Sequence, residues 1–261
     1  MLFFKMFGNQ VSTLYLTSII SDLTIILLIF LISSNLFNKK TGLLSSAIYS
    51  IHYITFNFSW GGFLELPMMV FTLLSIYTYL LALRKKSVKL FLLSGIFVGI
   101  SFLIKQPGIV IIATYLFHIS FLAGYNKLKI KEGLKYLFSI LLGLFAVLFF
   151  LSIYLLKLKI LFKFVYAVLY VSTVYGPPFP YKINLILNII FAALPFLLFL
   201  SIIIVLRFIK KFDIKYMFLI LWLVPVILFF LFTKDFQPHY LIQLIPVLVI
   251  IVSNFFYKIK I

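Results

Sequence analysis

The sequence predicts an all-α membrane protein: one polytopic bundle of about nine transmembrane helices. Three observations lead there. The chain is 65% hydrophobic with a mean hydropathy of +1.24, whereas a soluble domain is nearer half apolar. The apolar residues fall into runs of roughly 17 or more, the length a helix needs to cross a bilayer. Basic residues sit in short blocks between those runs. Backbone groups in lipid must be satisfied internally, so helices are the expected spans.

The runs lie at about 13–34, 42–58, 66–83, 88–104, 107–124, 134–156, 185–207, 216–233 and 240–257. The second and fourth are the weakest. The second carries Ser45, Ser46 and His52, and the fourth carries Ser94 and Ser101. No internal repeat, low-complexity tract or separate soluble domain interrupts the series, so residues 1–261 read as one transmembrane domain.

Charge sets the expected orientation. With "NKK" at 38–40 in the cytoplasm and sides alternating, the inside loops hold five blocks. These are Lys39 and Lys40; Arg84, Lys85, Lys86 and Lys89; Lys127, Lys129, Lys131 and Lys135; Arg207, Lys210, Lys211 and Lys215; and Lys258 and Lys260. The other side holds Lys5, Lys105, Lys157, Lys159, Lys163, Lys182 and Lys234. Sixteen cations against seven puts the N-terminus outside and the C-terminus in the cytoplasm of a multi-pass plasma-membrane protein.

The formal charge of +18 does not indicate a nucleic-acid partner. That reading needs basic residues clustered on a soluble scaffold, whereas these meet anionic headgroups of membrane lipids. The absence of cysteine excludes disulfides, thiolate metal sites and cysteine nucleophiles. The opening "MLFFKMFGNQ" lacks the basic region and small-residue cleavage site of a signal peptide. An outside N-terminus so close to the first span suggests that a further helix precedes Met1.

Residues 157–184 break the pattern. Lys157, Lys159 and Lys163 open an aromatic stretch, and "GPPFP" then ends any helix. An external amphipathic helix in the interface, followed by a loop, is expected.

Polar variety gathers on the external side, at the ends of spans: Glu65, Lys105, Gln106, Lys234, Asp235, Gln237, His239 and Tyr240. Acids near the membrane are costly and tend to be functional. Glu65 also suits a helix N-terminus, with Pro67 in the first turn. Lys105 is either a headgroup-seeking lysine or a point charge for a lipid phosphate. His239 could donate to a phosphate or shuttle a proton, and Tyr240 could anchor at the interface. Lys234 and Asp235 suit a solvated turn. Asp22 is expected to bond a nearby Ser or Thr, and His52 and His118 to be hydrogen-bonded in the core. No metal-ligand spacing or phosphate loop is present, so no metal residue is assigned.

Four segments resemble the membrane glycosyltransferases of the C superfamily, in particular the protein O-mannosyltransferase and lipid A aminoarabinose transferase group. "FGNQVSTLYLTSIISDLTIILLIFLISSNLFNKKTGLLSSAIYSIH" is similar to that family's second helix, basic turn and next helix. "FLELPMMVFTLLSIYTYLLAL" resembles its second external acidic position. "LSGIFVGISFLIKQPGIVII" resembles its G-x-x-x-G-x-x-x-L-x-K-x-x-G helix pair, and "PHYLIQLIPVLVII" its terminal helix.

The resemblance implies a hexosyltransferase. Such an enzyme moves sugar from a polyprenyl-phosphate donor to a lipid, glycan or protein acceptor on the external face. A divalent cation is compatible with it. By position, Glu65 is the second acidic residue, of catalytic type. Lys105 contacts the donor phosphate, with Tyr240 as the aromatic of the last helix and His239 as its polar partner. The family's principal acid lies in a loop upstream of the matching segments, so the chain is expected to be N-terminally truncated, an inactive fragment among the outcomes. DNA just upstream of Met1 should then encode a basic start, a span and an Asp- or Glu-containing loop. The alternatives are a transporter or flippase for lipid-linked glycans, and a non-catalytic membrane subunit. A transporter should show repeated halves and polar breaks at mid-membrane, and this sequence shows neither.

Overall fold

The structure is a computed structural model, and it describes residues 8, 11–52, 55, 62–168, 214–232 and 238–258. Among these the elements are helical throughout. They are α1 (Val11–Leu36), α2 (Lys39–Ser50), α3 (Glu65–Lys85), α4 (Val88–Ile104), α5 (Ile111–Gly124), α6 (Ile130–Lys157), α7 (Leu161–Tyr166), α8 (Ile214–Phe232) and α9 (Ile245–Lys258). Two 3₁₀ turns, Gln106–Val110 and Pro238–Gln243, lead into α5 and α9. The chain is an all-α membrane protein.

Among the described residues, four helical stretches are long and apolar enough to cross a membrane: Ser12–Leu36, Glu65–Lys85, Gln106–Gly124 and Ile130–Lys157. Val88–Ile104, Lys215–Phe230 and Ile245–Lys258 are apolar but shorter. Of the expected span at 42–58, residues 53, 54 and 56–58 lie outside the described residues. Its helix, α2, has 12 residues and reaches only about 18 Å. Four hydroxyl residues interrupt its apolar ones. Of these, Thr41 and Ser45 are buried against protein, with Ser45 Oγ 3.0 Å from Ser33 Oγ of α1. The expected span at 185–207 lies outside the described residues.

The expected interfacial segment at 157–184 is described only as far as Val168. Lys157 is the last residue of α6, a turn with Lys159 in the left-handed region follows, and α7 has six residues. Residues 169–184 are outside the described set.

α3 is the centre of the bundle, packed on α1 and α4, and α4 packs in turn on α6. Hydroxyls join α3 to α4. Ser75 Oγ donates to the Ser94 carbonyl (2.9 Å), Ser94 Oγ donates to the Ser75 carbonyl (3.0 Å), and Thr72 Oγ1 lies 2.7 Å from Ser101 Oγ. Within lipid, such bonds and close van der Waals fit hold helices together, because apolar burial adds nothing between helices.

The α4–α6 crossing depends on glycine. A Cβ on Gly95 would fall on the Ile140 carbonyl oxygen, and one on Gly143 on the Leu92 carbonyl oxygen. One turn on, a Cβ at Gly99 would lie 2.8 Å from Val147 Cβ. The backbones therefore touch, as small-xxx-small packing allows. The opposite face of α6 exposes Phe138, Leu142, Phe145 and Phe149. That is the apolar stripe a lipid-facing helix requires.

Candidate functional site

Three breaks in regular helix bring the polar residues to one end of the bundle. Gly62, at φ +65°, turns the chain in the left-handed region just before α3. Glu65 is then the first residue of that helix, where the free N–H groups favour an anion. Arg84 and Lys85 occupy its last turn, about 30 Å away.

Pro107 ends α4, because proline restricts its predecessor and lacks a donor. Lys105, the residue after the helix, is extended at φ −156° and ψ 136°. The chain re-enters as a 3₁₀ turn, with the Gly108 amide donating to the Lys105 carbonyl (3.0 Å). Pro238 opens the other 3₁₀ turn, which carries His239 and Tyr240 and packs on α3.

The four side chains singled out in the sequence meet here. The Lys105 ammonium donates to Glu65 Oε1. His239 Nε2 lies 3.0 Å from the same oxygen. Lys105 Nζ also stands 4.4 Å from the centre of the Tyr240 ring, within cation–π range. His239 stacks on Phe63 with centroids 5.0 Å apart and meets Tyr240 edge-on at 4.9 Å.

Exposure divides the cluster. The Glu65 side chain is 1% exposed, against 23% for Lys105 and 18% for His239. An anion arriving from outside therefore meets the two nitrogen-bearing groups first, with the carboxylate behind them.

Beside Lys105 lies a groove of about 200 Å³, lined by Phe102, Leu103, Ile104, Gln106, Phe164 and Val168. Gln106 Nε2 donates to the Val168 carbonyl at 3.3 Å and ties the segment after α7 to the 3₁₀ turn. The groove is apolar except at its Lys105 end.

The remaining polar residues lie elsewhere. Asp22 accepts from the Tyr49 hydroxyl on α2 (3.1 Å), a partner that the sequence reading did not name. The near Ser21 hydroxyl is turned to the Thr17 carbonyl instead (2.7 Å). His118 is buried, with Nδ1 2.8 Å from the Tyr79 hydroxyl, as a core histidine should be. His52 follows the end of α2, where its carbonyl accepts from Thr55 Oγ1 (2.7 Å). Lys234, Asp235 and Gln237 lie outside the described residues. Phe63, Phe164 and Gln243 are site neighbours that sequence reasoning passed over. Gln243 carried a usable signal: it is a lone amide in an apolar run, three residues after Tyr240.

The fold and cluster define a polytopic helical membrane protein with a compact charged centre at one end, next to an apolar groove. The model of the dolichyl-phosphate-mannose-protein mannosyltransferase family matches residues 1–153, more than half of the chain, and the chain belongs to that family. It is thereby a membrane glycosyltransferase of the C superfamily, a class that draws sugar from lipid-linked donors. The matched region contains Glu65 and Lys105 and ends before His239 and Tyr240. No curated protein and no solved structure matches the chain.

Proposed function

We propose that the Glu65–Lys105–His239–Tyr240 cluster is the donor site of a hexosyltransferase. The donor is a polyprenyl-phosphate sugar, and the acceptor is a hydroxyl or amine of a lipid, glycan or protein at the external face. The observation that supports this most is the graded exposure of one cluster. Lys105 and His239 face outward beside an apolar groove, and Glu65 is held behind them.

In this reading the first isoprenoid units lie in the groove along Phe102, Leu103 and Phe164. The phosphate rests against the Lys105 ammonium and His239 Nε2. The acceptor oxygen or nitrogen attacks the anomeric carbon while the bond from that carbon to the phosphate oxygen breaks. The electron pair leaves with the polyprenyl phosphate, whose growing charge is stabilised by Lys105 and His239, groups fixed before the reaction begins. The acceptor's proton goes to a carboxylate. Glu65 is the acid within this cluster, and it becomes free to take a proton once the phosphate draws Lys105 and His239 away from it.

The test is transfer of radiolabelled mannose from polyprenyl phosphate by the purified protein, with Glu65→Gln and Lys105→Ala beside wild type. Lys105→Ala should raise the donor KM roughly tenfold or more, the loss expected for one charge-assisted hydrogen bond. Undiminished transfer in both variants would remove the cluster from the donor site. No transfer from any carrier would favour a flippase or a non-catalytic subunit.

A further inference from the structure

In the turn that carries His239 and Tyr240 lies a buried side chain whose amide nitrogen has no partner among the described residues. Gln243 is 5% exposed, and its Nε2 makes no hydrogen bond among the described residues. It lines a small void together with Met69, Thr72, Gly108 and Trp222. The void has room for about one water molecule, at about 10 Å³. Buried amides in native proteins are nearly always satisfied, and one that is not points to an absent water or ligand.

The position of the void makes it informative. Every element that carries a cluster residue also supplies its wall. Glu65 begins α3, and Met69 and Thr72 follow on the same face at helical spacing. Lys105 begins the turn that contains Gly108. Tyr240 and Gln243 are three residues apart in one 3₁₀ turn, where such residues eclipse and are separated by about 6 Å along the axis. Gln243 therefore follows Tyr240, against whose ring Lys105 is packed, by about 6 Å along the turn towards the buried start of α9. A sugar linked to a phosphate at Lys105 extends over a comparable distance.

We propose that Gln243 is a specificity-determining residue that donates a hydrogen bond to one hydroxyl of the donor sugar. This rests on the reading of Lys105 and His239 as the phosphate site. One water occupies the void when no donor is bound, and the sugar hydroxyl takes its place. The void admits a single hydroxyl and nothing bulkier. Gly108 is held at the wall of the void by its close packing on Ser101, which leaves no space for a Cβ on that side. Thr72 lines the same void, with its hydroxyl 2.7 Å from Ser101 Oγ.

The experiment measures kcat/KM with polyprenyl-phosphate mannose and with each of its monodeoxy analogues, for wild type, Gln243→Met and Gln243→Leu. Wild type should reject one analogue by on the order of 100-fold, because a donor built to meet a hydroxyl is left unsatisfied without it. Gln243→Met keeps the size and removes the donor. It should lose activity with the parent sugar but not with that analogue, bringing the ratio to within about threefold. Gln243→Leu also removes the hydrogen-bonding group and should lower the same ratio, which keeps the test available if the methionine variant fails to fold. A merely structural residue would change all donors in parallel. Unchanged ratios in both variants, with wild type active, would overturn the role of Gln243 alone. A wild type inactive with every donor would overturn the donor-site reading and this inference with it.

Discussion

Replacing Lys105 with methionine should destabilise the protein far more than replacing Glu65 with glutamine, although both changes break the same ion pair. The difference comes from burial. Glu65 is 1% exposed, so removing Lys105 leaves a desolvated carboxylate with His239 as its remaining partner, at 3.0 Å. Breaking a buried pair from one side costs about 3–5 kcal/mol. The surviving histidine contact places this case near the lower end, at about 3 kcal/mol. Lys105 is 23% exposed, so after Glu65→Gln its ammonium can reach water or accept the amide oxygen as partner. That change should cost about 1 kcal/mol. For a chain of this size each kcal/mol moves the melting temperature by about 2–4 °C. Lys105→Met should therefore lower Tm by about 6–12 °C, and Glu65→Gln by about 2–4 °C. The double variant Glu65→Gln/Lys105→Met should lie close to Glu65→Gln alone, since the stranded charge is gone. Tryptophan fluorescence during thermal unfolding in detergent, with a cooperative transition as the precondition, provides the measurement. Equal losses in the two single variants, or a larger loss for Glu65→Gln, would show that the carboxylate is not the buried partner.

Other features give sharp expectations. Gly143→Ala should lower Tm markedly, because its Cβ would meet the Leu92 carbonyl oxygen and overpacking costs about 1–3 kcal/mol; Gly124→Ala, with open space around it, is the control that should leave Tm within about 2 °C. Tyr79→Phe removes the partner of His118 Nδ1 and should cost about 1–3 kcal/mol without changing the donor KM. Tyr49→Phe, which takes the hydroxyl from half-buried Asp22, should cost about 1–2 kcal/mol in the same melting assay.

Much of the cluster could be read from the sequence because the membrane restricts where polar residues can go. Glu65, Lys105, His239 and Tyr240 stood at the ends of apolar runs on one side of the charge-sorted topology. The structure joins them within hydrogen-bond and ring-contact distance. The depth of Glu65 could not be read that way. The sequence places it at the start of a helix, and its burial comes from tertiary contacts, with Lys105 and His239 on the carboxylate and the Pro238–Gln243 turn packed on α3. In the 42–58 stretch, α2 ends at Ser50, and its Ser45 and Ser46 hydroxyls bond protein groups of α1, contacts that hydropathy does not reveal. For Asp22, Ser21 bonds its own preceding turn at the Thr17 carbonyl, and the Tyr49 hydroxyl reaches the carboxylate across the α1–α2 contact, a partner that spacing along the chain does not reveal. The close approach of α4 and α6 was visible as Gly95, Gly99 and Gly143, but which backbone each would touch depends on a crossing that spacing does not encode.

The donor-site reading turns on whether the cluster holds a lipid phosphate, and that can be measured without any chemistry. Equilibrium binding of a polyprenyl phosphate carrying no sugar, in detergent and without acceptor, isolates the step. Wild type should bind it, Lys105→Ala should weaken binding by roughly tenfold or more, and Tyr79→Phe, far along α3, should leave it unchanged. Equal binding by wild type and Lys105→Ala would contradict the reading, because the lysine at the head of the groove would then play no part in holding the carrier.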